Sequence, residues 1–275
     1  MFGPIMNGLP FRDPDGGMPQ FKGPPETGEF EKICLETGEM FARERRGPFR
    51  IFRWKSDEVA KIRDALLSDP DGLVVSGEVF KPGSRGYAVK VEIADRSYFL
   101  KAYDCLGWGY RLRNAFRRSR ALRTWSVTWG LYLRGLPVPK PLVCLEERHL
   151  RLLERCYLVT EIVPEASDLA QAWERSSHQA RIELLAKVGV LMGKLHRAGC
   201  SHGDMKWNNI LLSSGDAGAN VVLVDTDSAR IASKPTKRRI KKDTDRFLRD
   251  LQKHEKDPFF AELFRKSWSK GFDGN

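Results

Sequence analysis

The chain has 275 residues, 41% of them hydrophobic and 30% charged, and a formal net charge of +11 at neutral pH. This composition predicts a globular protein of one large or two modest folding units. It contains no apolar run near the roughly 18 residues of a membrane span. The positive charge favours an anionic partner, a class that includes nucleic acid, membrane surfaces and phosphorylated substrates.

Residues 1–70 are predicted to form an N-terminal extension. Residues 1–28 are rich in Gly and Pro, are expected to be mostly disordered, and lack the pattern of a secretory signal. Two short strands are expected over 30–43, around a Glu-Thr-Gly-Glu turn. Ser56 is expected to cap a helix over 56–67, which ends at the Asp-Pro-Asp-Gly sequence 69–72.

A sheet-rich lobe is predicted over residues 71–163, beginning with an antiparallel meander of strands at 73–80, 86–94 and 98–103. Its first turn contains Gly83, Ser84 and Gly86. Glycine-bearing turns can bring backbone N–H groups close to phosphate, so these residues are candidate nucleotide contacts, although most such turns are only turns. Lys101 lies inside the third strand. A buried lysine needs a counter-ion such as a nucleotide phosphate, whereas an edge-strand lysine would reach solvent.

The helix predicted over 111–134 carries six arginines within residues 111–123, and a second basic cluster lies at 234–242. Gly135 should end this helix, and further strands are expected near 142–145 and 156–163. Few aromatic residues are interleaved with the arginines, which favours a membrane surface or a phosphorylated glycan over nucleic acid. A solvated helix face is the simpler alternative.

Residues 164–275 are predicted to form a mainly helical lobe. A long helix apolar over much of its surface should run over 178–198, with Ser176 and Gln179 as a capping box, and end at Gly199. Residues 234–256 should be helical in their second half, and a short amphipathic helix should follow at 259–268. This order of elements predicts an α+β fold with two lobes, one a small antiparallel sheet and the other mainly helical.

Residues 201–212 and 221–225 carry the functional pattern. Asp204 can position a hydroxyl nucleophile, while Asn209 and Asp225 supply oxygen ligands for Mg²⁺, which is the set that phosphoryl transfer requires. Asp225 ends an apolar strand, where an acid is costly unless it is paired or binds metal. These features predict a phosphoryl-transfer site.

Three neighbouring residues have supporting or alternative roles in the same region. Lys206 is either a second catalytic residue that neutralises the transferring phosphoryl group or an exposed loop lysine. His202 is predicted to hold the backbone of the segment around Asp225. Asp227 either ligates metal or caps a turn.

These residues resemble the protein-kinase-like fold and, more closely, the lipopolysaccharide inner-core kinases (the Kdo/heptose kinase family), over about residues 73–250. The resembling segments are 98–103, 118–125, 135–142, 202–212 and 223–227. The resemblance implies that Lys101 binds ATP phosphates and Asp204 is the catalytic base. It also implies that Asn209 and Asp225 bind Mg²⁺, and that backbone groups near Glu161–Val163 meet adenine.

The family phosphorylates a sugar hydroxyl of lipid A–core. The implied acceptor is therefore lipid A–core or a related glycolipid, and no specific nucleic acid is expected. The implied location is cytoplasmic, peripheral on the cytoplasmic face of the inner membrane and held there by the basic patches. The scattered cysteines, which form no CxxC pair, agree with a reducing cytoplasm.

The chain departs from ordinary protein kinases in three ways. No acid lies between Asp104 and Glu146, where kinases carry a helix glutamate that pairs with the strand lysine. Asp-Thr-Asp at 225–227 replaces Asp-Phe-Gly, and no long segment ending in Ala-Pro-Glu follows. Two alternatives are therefore kept. One is an atypical protein or small-molecule kinase, RIO-like or aminoglycoside-phosphotransferase-like; the other is a catalytically inactive nucleotide-binding scaffold on membranes.

Overall fold

The computed structural model of the protein describes residues 29–274, with gaps at 84, 85, 106, 214–219 and 235. The start of the chain, expected to be disordered, and Ser84 lie outside the described residues. The described chain forms two compact units, one of residues 29–130 and 139–162 and the other of residues 131–138 and 163–274.

The first unit is built on a seven-stranded antiparallel sheet whose strand order is β1-β2-β6-β7-β5-β4-β3. Its elements in chain order are α1 (Glu29–Leu35), β1 (Phe41–Arg46), β2 (Phe49–Trp54), α2 (Asp57–Ser68), α3 (Pro70–Ser76), β3 (Glu78–Gly83), β4 (Gly86–Ile93), β5 (Arg96–Tyr103), α4 (Trp108–Arg113), α5 (Arg120–Tyr132), β6 (Pro141–His149) and β7 (Leu152–Glu161).

Helix α2 shows how this sequence builds the core of the first unit. Ser56 caps it, because its hydroxyl accepts a hydrogen bond from Val59 N at 3.2 Å, as the sequence predicts. Val59, Ile62 and Leu66 recur at helical spacing and are buried in a hydrophobic cluster with the sheet strands. Burial of each such side chain contributes about 1.5–3 kcal/mol.

Two strand predictions in the first 80 residues are wrong. Residues 29–35 form α1 instead of a strand, and Trp125 Nε1 of α5 donates to the carbonyl of Cys34 at its end, at 3.0 Å. Residues 70–76 form α3, because Asp69 accepts from Gly72 N at 2.8 Å and Pro70 stands in the first turn. A tertiary contact at α1 and capping at α3 override β propensity.

Residues 29–70 supply two strands of the sheet, β1 and β2, so the prediction of an N-terminal extension over residues 1–70 is wrong for this part. Strand β2 pairs with β6 over residues 49–53 and buries Ile51 and Phe52. The single helix predicted over 111–134 is divided into α4 and α5. Ser119 caps α5, because its hydroxyl accepts a hydrogen bond from Leu122 N at 3.0 Å.

The second unit is mainly helical. Its elements are β8 (Ser167–Asp168), α6 (Leu169–Arg175), α7 (His178–Arg197), β9 (Cys200–Ser201), a 3₁₀ helix (Trp207–Asn209), β10 (Ile210–Ser213), β11 (Asn220–Leu223), a second 3₁₀ helix (Thr226–Ser228), β12 (Arg230–Ile231), α8 (Lys237–His254) and α9 (Pro258–Asp273). Strands β11, β10 and β8 form one small sheet, and β12 pairs with β9. The predicted α+β class is confirmed.

Helix α7 is the core of the second unit, and α9 packs closely against it. Gly189, Gly193 and Gly271 permit this approach: a Cβ at Gly193 would lie 2.2 Å from Trp268 O, and one at Gly271 would lie 2.1 Å from Val190 O. No side chain fits at these positions without moving backbone.

Three details of the helices differ from prediction. Ser177, and not Ser176, caps α7 by accepting from Ala180 N at 3.3 Å. Helix α8 covers the whole of 237–254, because Thr236 caps it and a buried face runs along its length. Helix α9 extends five residues beyond the predicted end at residue 268, to Asp273.

Candidate phosphoryl-transfer site

The loop after α7, residues 202–206, is held against the second 3₁₀ helix (Thr226–Ser228). Gly203 makes this possible: its φ is +83°, and a Cβ there would lie 2.4 Å from Ser228 O. Only glycine adopts this conformation freely and also fits the space. The loop therefore brings Asp204 into the same region of the second unit as the segment around Asp225.

Asp243, on α8, fixes the start of this loop. It is fully buried, and its two carboxylate oxygens accept the backbone N–H groups of His202 and Gly203, each at 2.8 Å. His196 Nε2 lies 3.3 Å from the Oδ2 atom of Asp243. A buried carboxylate is costly unless its oxygens are hydrogen-bonded, and here both oxygens are.

His196 links α9 to this carboxylate. Trp268 Nε1 donates to His196 Nδ1 at 2.9 Å. An indole N–H only donates, so Nδ1 is the accepting nitrogen of the imidazole. Nε2 then carries the hydrogen and donates to Asp243, and a continuous hydrogen-bond chain runs from α9 to the loop.

Asp204 is half-buried and its carboxylate has cations on both sides. Lys206 Nζ lies 3.0 Å from its Oδ2 atom, and Arg246 Nε lies 3.9 Å from its Oδ1 atom. The amide nitrogen of Asn209 donates to Asp204 O at 2.9 Å. The lysine and the amide come from the loop itself, and the guanidinium comes from α8.

The segment that ends in Asp225 is tied to the same loop. His202 Nε2 donates to Val224 O at 2.9 Å, and Val224 N donates to Asn209 O at 3.0 Å. The structural role predicted for His202 matches this contact. Asp225 itself has a φ of +58°, in the left-handed region that a residue other than glycine adopts at a cost.

The donor set of the second unit fits a magnesium ion. The Nδ2 atom of Asn209 donates a hydrogen bond to the backbone oxygen of Asp204. The Oδ1 atom of Asn209 is therefore the acceptor atom of this amide that could bind a metal ion. Asp225 is exposed and supplies a carboxylate. Mg²⁺ in phosphoryl-transfer sites uses one or two such oxygens together with substrate phosphates and waters. Within the described residues, no group of three or more Cys, His, Asp and Glu side chains could hold a metal by itself.

The first unit contains the other predicted nucleotide contacts. Lys101 is half-buried on β5, which has a strand on each side, so it is not an edge-strand lysine. Its Nζ lies 5.4 Å from the ring centroid of Tyr103. Gly83 ends β3 and Gly86 begins β4, where a Cβ would lie 2.1 Å from Ala102 O.

The predicted hinge lies where the chain passes from one unit to the other. Glu161 ends β7 in the first unit, and Val163 is the first residue of the next segment of the second unit. Glu161 N donates to Lys140 O at 3.0 Å. Their roles toward adenine remain predictions, as do those of the turn glycines.

Sequence reasoning missed three residues of α8 that support the loop: Asp243, Arg246 and Asp250. Asp250 accepts from Trp207 N at 3.2 Å and from Arg246 Nη1 at 2.8 Å. Burial raises the pKa of Asp250, but hydrogen bonds from Lys253, Arg246 and Trp207 N outweigh it, and the net pKa is lowered. The pattern that would reveal both acids is their spacing of seven on the face that buries Phe247.

Comparison with known proteins identifies the chain. Residues 78–269, more than half of its length, match the lipopolysaccharide kinase (Kdo/WaaP) family. The chain belongs to this family. The resemblance predicted from the loop and strand motifs is confirmed, and the matched region extends through α8 and most of α9.

Curated relatives of this Kdo/WaaP family member include 3-deoxy-D-manno-octulosonic acid kinases. One from Xylella fastidiosa (strain M23) is 31% identical over 177 residues, which cover 62% of this chain and 68% of the relative. One from Haemophilus influenzae (strain PittEE) is 29% identical over 150 residues, which cover 48% of this chain. The chain spans only 61% of that Haemophilus relative.

A solved structure described as WaaP in complex with acyl carrier protein shares the fold. It has a TM-score of 0.54 and 20% sequence identity, and the match covers 74% of this chain and 83% of that one. The predicted two-lobe, protein-kinase-like class is thereby supported at the level of the fold. In the described part of the chain, no helix is long and apolar enough to cross a membrane.

Proposed function

We propose that this Kdo/WaaP family member is an ATP- and Mg-dependent sugar kinase. It transfers the γ-phosphoryl group of ATP to a hydroxyl of 3-deoxy-D-manno-octulosonic acid (Kdo) in lipid A–core. The observation that carries the proposal is the joined loop of Asp204, Asn209 and Asp225, held by the buried carboxylate of Asp243. The curated relatives support the sugar as acceptor.

In this mechanism Asp204 orients the acceptor hydroxyl and takes its proton as the new P–O bond forms, while the bond from the γ-phosphorus to the β,γ-bridging oxygen breaks and ADP leaves. Lys206 lies beside Asp204 and is placed to offset negative charge on the transferring group. Asn209 and Asp225 would hold Mg²⁺, which when bound offsets phosphate charge. Lys101 would bind nucleotide phosphates, and the backbone near Glu161–Val163 would meet adenine.

The decisive experiment measures phosphate transfer from labelled ATP to purified Kdo–lipid A, with product phosphate located by mass spectrometry. Asp204→Asn should lower kcat by about 10²–10⁴-fold. Asp245→Asn, an acid on α8 that pairs with Lys241 at the surface, is the matched control and should be unchanged.

Each other outcome selects an alternative. Transfer to protein or to a small molecule but not to lipid would select an atypical kinase. Nucleotide binding without any turnover would select the inactive scaffold. Transfer to a heptose hydroxyl would keep the kinase and replace the sugar.

The acceptor is amphiphilic, so we propose that the protein works at the cytoplasmic face of the inner membrane as a peripheral protein. The net charge of +11 supports attraction to anionic lipid. Flotation of the full chain with anionic vesicles tests this location, and equal recovery with neutral vesicles would contradict it.

A further inference from the structure

The first unit contains a basic cavity that the proposed transfer chemistry does not use. We call it the arginine cavity and define it by Arg45, Arg50, Arg148 and Arg151. It comprises two adjoining spaces of about 380 and 330 Å³, both lined by Arg50, Arg148 and Arg151. The exposed apolar side chains of Phe116 and Leu150 lie at its rim.

The sheet register places two of these arginines against each other. Arg45 on β1 lies directly opposite Arg50 on β2, and like charges in this position repel. Arg50 lies opposite Glu146 on β6, but that carboxylate is already used: Arg148 Nε and Nη2 donate to it at 3.0 and 3.1 Å, and Ser119 N donates at 3.0 Å.

Arg50 is therefore a half-buried cation in need of a counter-charge. Its backbone is paired in the sheet, but within the described residues its guanidinium makes no hydrogen bond and no ion pair. Its burial and the charge of Arg148 lower the pKa of the Arg50 guanidinium, and the charge of Glu146 offsets only part of this lowering. An anion in the cavity would offset both the burial of this charge and its repulsion by Arg148, because a guanidinium donates paired hydrogen bonds to phosphate oxygens.

The β6–β7 turn adds a second feature to the rim. Leu150 and Arg151 have φ values of +48° and +73°, so both adopt the left-handed conformation that Asn and Gly usually provide in a two-residue hairpin turn. Leu150 is 98% exposed, and the Arg151 guanidinium lies 5.5 Å from the ring centroid of Phe116, itself 81% exposed. The turn holds bulky side chains in a strained conformation where they contribute nothing to the core.

We propose that the arginine cavity binds the phosphate group of an anionic phospholipid, while Phe116 and Leu150 enter the boundary between headgroups and acyl chains. Cationic side chains around a headgroup beside exposed apolar groups are what membrane-surface binding uses. The inference rests on the membrane partner proposed above. Its test needs no ATP and no acceptor sugar, so its failure and a failure of the kinase proposal are distinguishable.

The test measures binding of the full chain to phosphatidylcholine vesicles with and without phosphatidylglycerol. The double variant Arg45→Gln/Arg50→Gln should bind the anionic vesicles roughly tenfold more weakly or worse. The control Arg249→Gln/Arg265→Gln removes the same charge at exposed positions of α8 and α9 and should lose much less. If the two double variants lost vesicle binding equally, binding would depend on general charge attraction, and the proposal of a specific lipid site would be wrong.

A second variant separates the site from folding. Leu150→Asn/Arg151→Gly installs the usual turn residues, so it should raise the melting temperature while it weakens vesicle binding. Unchanged vesicle binding would overturn the role of the rim. Glycerol phosphate at millimolar concentration should displace the protein from vesicles only weakly. Full displacement, or thermal stabilisation by glycerol phosphate without any vesicle binding, would assign the cavity to a soluble phosphate ester and overturn the lipid assignment.

Discussion

At the scale of single residues, the loop of residues 202–206 depends on Asp243, an acid that is not proposed to touch substrate. The carboxylate of Asp243 receives two backbone N–H groups and one imidazole. It thereby fixes the peptide immediately before Asp204, so it acts as a positioning residue. The same reasoning applies to Glu146 in the first unit, where a buried carboxylate joins Arg148 to the start of α5.

Replacement of Asp243 by alanine should remove about 2–4 kcal/mol of unfolding free energy, because buried N–H groups lose their acceptor. Urea unfolding followed by tryptophan fluorescence measures this loss. Asp243→Asn keeps one acceptor oxygen and should retain part of the stability. Asp245→Ala, two residues along α8 and at the surface, should change stability by less than about 0.5 kcal/mol.

Acid should destabilise the first unit in part through Glu146. Burial raises the pKa of Glu146, but hydrogen bonds from Arg148 and Ser119 outweigh it, so the folded-state pKa lies below the ordinary value. Its contribution to stability is therefore complete above the unfolded pKa of about 4.3 and is lost as the pH falls through the folded value.

The measurement for Glu146 is unfolding free energy between pH 7 and pH 3. Glu146→Gln should be less stable at pH 7, and its stability should fall less steeply below pH 5 than that of the parent. Glu39→Gln, at an exposed position, should keep the parent slope. If the unfolding free energy of Glu146→Gln fell with pH as steeply as that of the parent protein, the lowered pKa of Glu146 would be contradicted.

The residues that the sequence could propose for the site are those whose chemical type and spacing match phosphoryl transfer. Asp204 and Asn209 lie in one loop, and Asp225 follows an apolar strand, so each is visible in the sequence. Asp243 was not visible, because it lies among lysines and arginines and contacts a loop about forty residues earlier. A backbone-binding acid has no local pattern except its place on the buried face of a helix.

At the scale of elements, α7 and α9 are joined at glycines. Gly193→Ala should destabilise the protein by about 1–3 kcal/mol, because the new methyl group would overlap the Trp268 carbonyl and Phe272 N. In a helix the same exchange normally stabilises by up to about 1 kcal/mol.

Gly109→Ala on α4 provides the opposite case. A Cβ there meets no atom within 4 Å, so this variant should be neutral or more stable. Thermal unfolding of both variants gives the comparison. If both shifts have the same sign, close helix packing is not the reason for glycine at 193.

Elements with strong local patterns were predicted, and those set by distant contacts were not. The cap at Ser56 and the apolar stripes of α7 made those helices predictable. Residues 29–35 look like a strand, yet they end beneath Trp125 of a distant helix. The break between α4 and α5 depends on Glu146, which is 27 residues away from Ser119 in sequence.

At the scale of the whole molecule, fold class followed from the order of strands and helices, because an antiparallel meander and a long apolar helix cannot share one layer. The division of the first 70 residues could not be predicted in this way. Strands β1 and β2 are arginine-rich, and only the pairing of β1 with β2 and of β2 with β6 reveals that they complete the sheet.

Nucleotide should stabilise the whole protein if the proposed function is correct. ATP with Mg²⁺ at a hundredfold excess over its Kd should add about 2.7 kcal/mol to the unfolding free energy. Asp225→Asn should remove the part that depends on Mg²⁺. The variant Asp227→Asn distinguishes the two roles predicted for Asp227. Loss of the Mg²⁺-dependent stabilisation would make Asp227 a metal ligand, and no loss would make it a turn-capping residue. Differential scanning calorimetry measures each case.

The hydrogen-bond chain from Trp268 through His196 to Asp243 has a consequence for how the protein is made. Synthesis runs from the N-terminus, so residues 202–209 leave the ribosome before the two helices that supply Asp243 and Trp268. A nascent chain that stops short of α8 has the side chains proposed for transfer without the carboxylate that holds the backbone of their loop. If the proposed function is correct, the capacity to bind and transfer phosphate would arise only after these last two helices have been synthesised and have packed against the loop.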